Sequence, residues 1–281
     1  MDSNKNDILS RTRKIAKSNY NAENIERVES VKNDVVRLFS GKFDGYQKCD
    51  TLYHNLEHTI QVINPFVRII DGWNKAGKTP WISFKFFELG VIAVLLHDTG
   101  YIKKVGDNDG TGGKYTFTHI GRSIIFAEEY LFSRAFMEDD ITAVCNMILC
   151  TGMVERIMDF SSDEEKICGY ALGSADLIGQ LSAHNYPEKL PYLYSEFKEA
   201  YEYEGIDKIK KKSAFVFDSA EALIQSTPVF YKNVVRKRLK EMGSLDKYIR
   251  CRRPEKNENY RAAIKKNLFK LNSGVAANHS H

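Results

Sequence analysis

Hydrophobic residues recur at three- and four-residue steps along most of the chain, the spacing of one face of an α-helix. This periodicity predicts helices over Asn24–Phe39, Thr51–Asn64, Ser83–Asp98, Arg122–Phe136, Asp140–Cys150, Ser162–Ser182, Glu188–Tyr203, Ser213–Gln225, Val229–Tyr248 and Tyr260–Leu271. No segment sustains a strict alternation of apolar and polar residues, which is the pattern of a half-buried strand. The sequence therefore predicts an all-α fold, a compact bundle of many helices.

Two segments fit more than one local structure. The run Val91–Leu96 is apolar at every position, so it fits a buried parallel strand as well as a buried helix. Because Phe84–Leu89 extends the run to helical length, and no alternation of strands and helices surrounds it, we favour a helix. Pro65 is expected to break or kink the Thr51–Asn64 helix, since proline has no amide hydrogen and its ring collides with the preceding turn.

Length and composition are those of a globular protein. The chain has 281 residues, of which 43% are hydrophobic and 28% charged, and a core of this size needs no disulfide or structural metal. No low-complexity linker interrupts the helical pattern. We predict a single helical domain over residues 1–272, with a motif-bearing core at 51–182 and a basic C-terminal part at 205–272. The tail at 273–281 is expected to be disordered.

The sequence indicates a cytoplasmic protein without membrane contact. Its longest apolar run is too short to span a bilayer, and its polar first residues lack the apolar core of a signal peptide. The five cysteines form no Cys-x-x-Cys pair and are odd in number, which favours reduced thiols. The pattern leaves the oligomeric state open.

Charge is unevenly distributed along the chain, whose net charge is +4. The segment Asp207–Lys270 contains 18 Lys and Arg but 7 Asp and Glu, a net charge of +11, so the rest of the chain carries −7. A basic surface attracts anionic ligands and nucleic acids. The basic segment is therefore compatible with a nucleic-acid partner. We favour the simpler interpretation that its charged residues lie on solvated helix faces.

Two histidines are the first candidates for chemistry. His54 and His58 are four residues apart in the predicted Thr51–Asn64 helix, so we expect them on one helical face, opposite the apolar stripe. That spacing suits two metal ligands, or a ligand and an acid. The alternative is an ordinary solvated polar face.

Two aspartates and a further histidine extend this set. His97-Asp98 ends the most apolar helix, and a carboxylate drawn into a buried site requires a cation or hydrogen-bond donors. Asp176 lies in mid-helix, where aspartate is unfavourable, and the glycines at 169 and 173 leave room for an approaching group. His119 follows the glycine-rich loop Gly100–Tyr115 and is a candidate ligand for a second metal. For each of these residues the alternative to metal ligation is an ordinary structural role, in local hydrogen bonds or at a helix end in solvent.

The ordered motifs resemble a known superfamily. Tyr53-His54-Asn55-x-x-His58, His97-Asp98 and Ala175-Asp176-Leu177 occur in this order, as in the HD-domain superfamily of metal-dependent phosphohydrolases. The chain is most similar to the branch whose tyrosine-histidine-asparagine motif also marks the cyclic-nucleotide phosphodiesterases. Those enzymes carry a further histidine soon after the His-Asp motif, where this chain has Thr99-Gly100-Tyr101. The chain therefore looks more like the bacterial HD phosphohydrolases.

The resemblance, which spans residues 53–177, implies an all-helical fold and a set of residue roles. It implies that the ligands of a metal are His58, His97, Asp98 and Asp176. It also implies that Asp98 can bridge to a second ion, and that His54 is a proton donor rather than a ligand. Two histidines and two aspartates suit a divalent metal, one or two ions per chain, with Zn, Mn, Fe, Co and Mg all open.

The predicted function is hydrolysis of a phosphomonoester or phosphodiester of a small, nucleotide-like substrate. The metal and Asp98 would form the catalytic centre, where a bound water is activated and a phosphoryl oxygen polarised. His54 would protonate the leaving oxygen. Three lysines, at positions 103, 104 and 212, are candidates for binding the phosphate.

Three other functions fit parts of the sequence. A few HD-domain proteins are oxygenases that use a pair of irons. His54-Asn55-Leu56-Glu57-His58 also fits the H-x-x-E-H signature of a class of zinc metalloproteases, with Glu57 as the base and Glu128 or Glu129 as the third ligand. The basic C-terminal part fits a non-catalytic protein that binds nucleotides or nucleic acid.

Overall fold

The computed structural model describes residues 8–153, 159–212, 216–249 and 259–274. Within these ranges the chain forms helices and no named β-strand. The α-helices are α1 (Ser10–Tyr20), α2 (Glu26–Phe39), α3 (Leu56–Lys75), α4 (Phe84–Leu96), α5 (His119–Ser133), α6 (Glu138–Leu149), α7 (Asp163–Ser182), α8 (Tyr186–Glu204), α9 (Ile206–Lys212), α10 (Ala220–Phe230), α11 (Arg236–Glu241) and α12 (Tyr260–Asn272). The all-α fold predicted from periodicity is confirmed. The predicted disordered tail lies, from residue 275 onward, outside the described residues.

Helix α4 lies at the centre of the fold. Every residue from Phe87 to Leu96 is buried, and α4 packs against α2, α3, α6 and α7. A helix that is apolar on all sides is stable only when other elements surround it. The run Val91–Leu96 is therefore helical, and the C-terminal end of α4 is buried in the interior of the protein.

Helices α3 and α7 pack closely along each other beside α4. The approach depends on Gly179 of α7, where a Cβ atom would lie 3.2 Å from the carbonyl oxygen of Gln61 in α3. The prediction at Pro65 allowed a break or a kink; helix α3 continues through Pro65, so it does not break there. Ile63 and Phe66 on either side of Pro65 are buried. Burial of this apolar face offsets the cost of a proline in mid-helix, about 3 kcal/mol.

The C-terminal helices differ from the predicted ones. The segment predicted as one helix over Val229–Tyr248 contains the end of α10, a π-helical turn at Tyr231–Val235, α11 and a 3₁₀-helix at Leu245–Ile249. Gly243 and Ser244 adopt positive φ angles of 75° and 52°, which ends α11 in a tight turn.

A further helix boundary differs from the prediction, and a helix forms near the N-terminus that is additional to those predicted. Helix α10 begins at Ala220 rather than residue 213, because the side chain of Ser219 caps it; residues 213–215 lie outside the described ranges. Helix α1 was not predicted at all, since its sequence is mostly polar and only Thr12, Ile15 and Ala16 are buried.

One hydrophobic cluster connects buried residues from Leu9, just before α1, to Leu271 in α12. The cysteines at 49, 145 and 168 are free thiols; Cys251 lies outside the described residues. Among the described helices, none combines the length and the apolar character that crossing a membrane requires.

Candidate metal centre

Three helices bring the predicted ligands to one buried point. His58 lies in the first turn of α3, His97 and Asp98 directly follow α4, and Asp176 lies in the middle of α7. The side chains of His58, His97 and Asp98 are at most 4% exposed, and that of Asp176 is 13% exposed. The burial of α4 explains the position of His97 and Asp98, because the helix ends inside the protein.

The ligand atoms of these residues converge. His58 Nε2 lies 3.3 Å from Asp98 Oδ2 and 3.1 Å from Asp176 Oδ1. His97 Nε2 lies 3.3 Å from Asp98 Oδ2 and 3.8 Å from Asp176 Oδ1. Atoms bound at roughly 2.0–2.2 Å around a tetrahedral ion are about 3.3–3.6 Å apart. His58, His97 and Asp176 thus form a group that could hold a metal ion, and Asp98 lies within the same cluster.

The hydrogen bonding around the cluster also fits a metal. His97 Nδ1 lies 2.7 Å from the carbonyl oxygen of Val94. A carbonyl can only accept, so Nδ1 carries the proton and Nε2 is left as a ligand. His97 Nε2, Asp98 Oδ2 and Asp176 Oδ1 are buried without a hydrogen bond to any described residue. Because buried polar atoms normally have a partner, the donor set fits a cation at this point.

Opposite charges within the cluster shift each other's pKa values. Burial alone would lower the pKa of His97, but Asp98 and then Asp176 outweigh it and raise the pKa to about 9. Burial alone would raise the pKa of Asp98, but the neighbouring His97 and then His58 hold it well below its usual value. A buried carboxylate that stays ionised attracts a divalent cation, whose binding requires His97 to release its proton.

His54 lies outside helix α3, so its predicted position on one helical face with His58 is wrong. The helix starts after Asn55, whose side chain accepts hydrogen bonds from the amides of Glu57 and His58. Asparagine is among the most favourable residues at this capping position. His54 belongs to the preceding turn, and its Nδ1 lies 2.6 Å from Glu196 Oε2 of α8. His54 is thus held beside the ligand cluster by a carboxylate.

Glu196, which the sequence patterns do not predict as a site residue, is central to this site. Its carboxylate is 3% exposed and also accepts the backbone amides of Tyr53 at 2.7 Å and His54 at 3.2 Å. Burial alone would lower the pKa of His54, but Glu196, followed by Asp98 and Asp176, raises it above its ordinary value. With Nδ1 bound to the carboxylate, the Nε2–H group of a protonated His54 is the remaining donor.

His119 lies on the other side of Asp98. Its Nδ1 lies 2.7 Å from the carbonyl oxygen of Thr116, and its Nε2 lies 3.8 Å from Asp98 Oδ1. Burial lowers the pKa of His119 to about 4, so the ring is neutral near pH 7. The ring of Tyr101 is nearly parallel to the rings of His54 and His119, with centroids 4.4 Å and 4.5 Å away. His119 therefore faces the Asp98 oxygen that the first cluster does not use.

Other predicted features take no part in the cluster. A Cβ atom at Gly173 would lie 2.4 Å from the carbonyl oxygen of Cys150, so this glycine accommodates the end of α6 and not a ligand. Lys103 is buried, and its Nζ lies 2.9 Å from Asp50 Oδ2 and also donates to the carbonyl oxygen of Gly110, so its ammonium group is held by two partners within the protein. Lys104 is exposed, with its Nζ 6.0 Å from the centroid of the Tyr46 ring. The side chain at position 212 lies outside the described residues.

The residues required for a metalloprotease are not assembled. The side chain of Glu57 is 55% exposed and lies 2.8 Å from Lys189 Nζ. Glu128 and Glu129 are exposed on α5. His54, the first histidine of that signature, is bound to Glu196 instead of joining the ligand cluster. The geometry does not support Glu57 as the base of a zinc site.

The fold and the cluster define an all-α protein with a candidate metal centre, and a comparison of sequences gives its family. The profile of the Npun_R2479-like family matches residues 109–272, more than half of the chain, so the chain belongs to the Npun_R2479-like family. The match includes His119, Asp176 and Glu196 and begins after His58 and Asp98. Neither a curated protein nor a solved structure matches the chain.

Proposed function

We propose that this protein is a metal-dependent phosphohydrolase of the HD-domain type. One observation supports the proposal most strongly: two imidazole nitrogens and two carboxylate oxygens converge at a buried point, and a histidine paired with a glutamate lies beside them. Such a site combines an ion-binding centre with a separate proton donor. Both are useful for cleaving a phosphate ester, whose leaving oxygen needs a proton.

The ion would be held by His58, His97, Asp98 and Asp176. Bound there, a divalent metal supplies an activated water and a polarised phosphoryl oxygen. The mixed nitrogen and oxygen ligands accept Zn, Mn, Fe, Co or Mg. The position of His119 against the second oxygen of Asp98 supports a further ion.

His54 acts as the general acid in this proposal. Water oxygen attacks phosphorus, the bond from phosphorus to the ester oxygen breaks, and that oxygen takes the proton of His54 Nε2. Glu196 fixes the orientation of the ring through Nδ1 and stabilises its protonated form. The substrate is a small phosphate ester.

An oxygenase with two irons is the second candidate, because His119 and Asp98 are placed for a second ion. Iron as the native metal, together with a visible charge-transfer band and no hydrolysis, would favour it. A nucleotide- or nucleic-acid-binding role would use the exposed Lys232, Arg236 and Lys240 around α11. A salt-dependent electrophoretic shift with RNA or DNA, without turnover, would support that role.

The test of the proposal is metal analysis combined with a hydrolysis screen. The purified protein is stripped with a chelator, reloaded with single metals and assayed with p-nitrophenyl phosphate, bis-p-nitrophenyl phosphate and nucleotides. Reloading should restore turnover, and His58→Ala should remove both metal and turnover. His184→Ala, which changes an exposed histidine, should retain both. Equal turnover with and without metal, or equal behaviour of the two variants, contradicts the proposal.

A further inference from the structure

A small cavity lies against the ligand His58. Its volume is about 10 Å³, and the other lining residues are Tyr53, Gln61, Gln180, Ala183, Tyr186 and Lys189. This volume is enough for one water molecule. The Tyr53 hydroxyl in this lining already donates to Gln180 Oε1 at 2.9 Å. The ammonium group of Lys189 and the amide of Gln61 are donors suited to an oxygen anion. Because His58 borders both the cavity and the ligand cluster, Lys189 and Gln61 in the lining lie close to the candidate metal centre.

Lys189 supplies the positive charge of this lining. Its side chain is only 14% exposed, and its Nζ lies 2.8 Å from Glu57 Oε2. The other oxygen of Glu57 accepts a hydrogen bond from Gln61 Nε2 at 3.2 Å. The Glu57 carboxylate thus takes one donor from Lys189 and one from Gln61, as a phosphate oxygen would.

The two partners of this ion pair differ in their surroundings. The side chain of Glu57 is 55% exposed, so it can turn into solvent at little cost, and exposed ion pairs contribute little to stability. The side chain of Lys189 is largely buried, so its position is more restricted. An incoming anion can therefore replace Glu57 while Lys189 stays in place.

We propose that Lys189 and Gln61 form the phosphate-binding subsite of this protein, and that the Glu57 carboxylate occupies it when no substrate is bound. The inference rests on the proposed hydrolase function and adds a substrate class to it. A phosphomonoester carries close to two negative charges at neutral pH, whereas a phosphodiester carries one. A lysine in addition to the metal selects the monoester, because it compensates the second charge.

Substitutions at the two ends of the ion pair should have opposite effects. Lys189→Met removes the cation and should weaken phosphate binding by about tenfold or more, the effect of losing one charge-assisted hydrogen bond. Glu57→Gln removes the competing carboxylate and should tighten binding. A purely structural ion pair would give both variants the same loss of thermal stability and no change in phosphate affinity.

The experiment is calorimetric titration of inorganic phosphate into the metal-loaded protein, with metal content measured for each variant. Lys189→Met should bind more weakly, Lys189→Arg should remain within a few-fold of the wild type, and Glu57→Gln should bind more tightly. Lys198→Met is the matched control, because it removes an exposed lysine from the same helix. It should bind phosphate as the wild type does.

The outcomes separate this inference from the proposed function. The subsite is wrong if metal-loaded Lys189→Met binds phosphate with wild-type affinity, or if Glu57→Gln weakens binding as Lys189→Met does. It is also wrong if Lys189→Met raises KM equally for p-nitrophenyl phosphate and its diester, since only the monoester should be affected. Phosphate affinities that follow the prediction, in a protein that hydrolyses no ester, would leave the subsite intact and refute the hydrolase.

Discussion

Replacing Glu196 with glutamine should move the alkaline limb of the pH–rate profile to lower pH. The proposed acid His54 must be protonated to act, so activity falls as the pH rises through its pKa. Glu196 raises that pKa, and glutamine carries no charge. The variant should therefore lose its proton, and its activity, at a lower pH than the wild type.

The size of the effect follows from the geometry of the pair. His54 Nδ1 lies 2.6 Å from Glu196 Oε2, and the glutamate side chain is 3% exposed. A hydrogen bond to a charged group contributes about 1.5–3 kcal/mol. At about 1.4 kcal/mol per factor of ten, kcat/KM on the alkaline side should fall by about 10- to 150-fold. The fold should persist, because a glutamine oxygen can still accept the amides of Tyr53 and His54.

The assay measures kcat/KM against pH for an alkyl phosphate and for p-nitrophenyl phosphate, with metal content determined in parallel. The alkyl ester needs the proton, whereas nitrophenolate leaves well without it. The shift of the alkaline limb should therefore be large for the alkyl phosphate and small for p-nitrophenyl phosphate. Glu202→Gln, an exposed change on the same helix, serves as the control. An alkaline limb that stays in place, or an equal loss on both substrates, refutes His54 as an acid supported by Glu196.

Three further predictions concern the same region. His54→Ala should retain its metal while losing about a hundred- to ten-thousand-fold in turnover of alkyl esters; loss of metal as complete as in His58→Ala would instead make His54 a ligand. Chelation should lower the Tm, since a ligand at a hundred times its Kd stabilises by about 2.7 kcal/mol, and calorimetry that shows an unchanged Tm would contradict a resident ion. Gly100→Ala should lower the free energy of unfolding by about 1–3 kcal/mol in denaturant titrations, because its Cβ atom would lie 2.0 Å from the carbonyl oxygen of His119. Gly121→Ala on α5, with open space around it, should be neutral or stabilising. Equal effects of the two substitutions would contradict the close packing at Gly100.

The parts of the site that the sequence predicts are those with a local physical signal. A wholly apolar helix must be buried, so the position of His97 and Asp98 at its end already indicates a carboxylate in the interior. An aspartate in mid-helix is likewise unusual, which makes Asp176 a candidate ligand. Hydrophobic periodicity predicts the helices that carry these residues, and the structure places the side chains of His97, Asp98 and Asp176 together.

The parts that the sequence did not predict depend on distant contacts. Glu196 pairs with a residue 142 positions away, and the weak local signal was its place on the apolar face of α8 beside Phe197 and Ala200. Periodicity alone extends the helix from Asn55 back to Thr51 and so places His54 in it, although asparagine before an apolar run is itself a helix start signal. The helix continues through Pro65 because tertiary burial outweighs local propensity, which no short-range pattern reports.

In this account a metal ion is held by residues of α3 and α7 and by the two residues that follow α4. Metal content per chain tests this most directly. The wild type, Asp98→Asn and Asp176→Asn are each stripped, reloaded and analysed by mass spectrometry for bound metal, with Asp44→Asn as a control at an exposed aspartate. At least one ion per chain is predicted in the wild type and the control, and little or none in the two ligand variants. Wild-type metal content in Asp98→Asn and Asp176→Asn, with the fold intact, would contradict the metal centre.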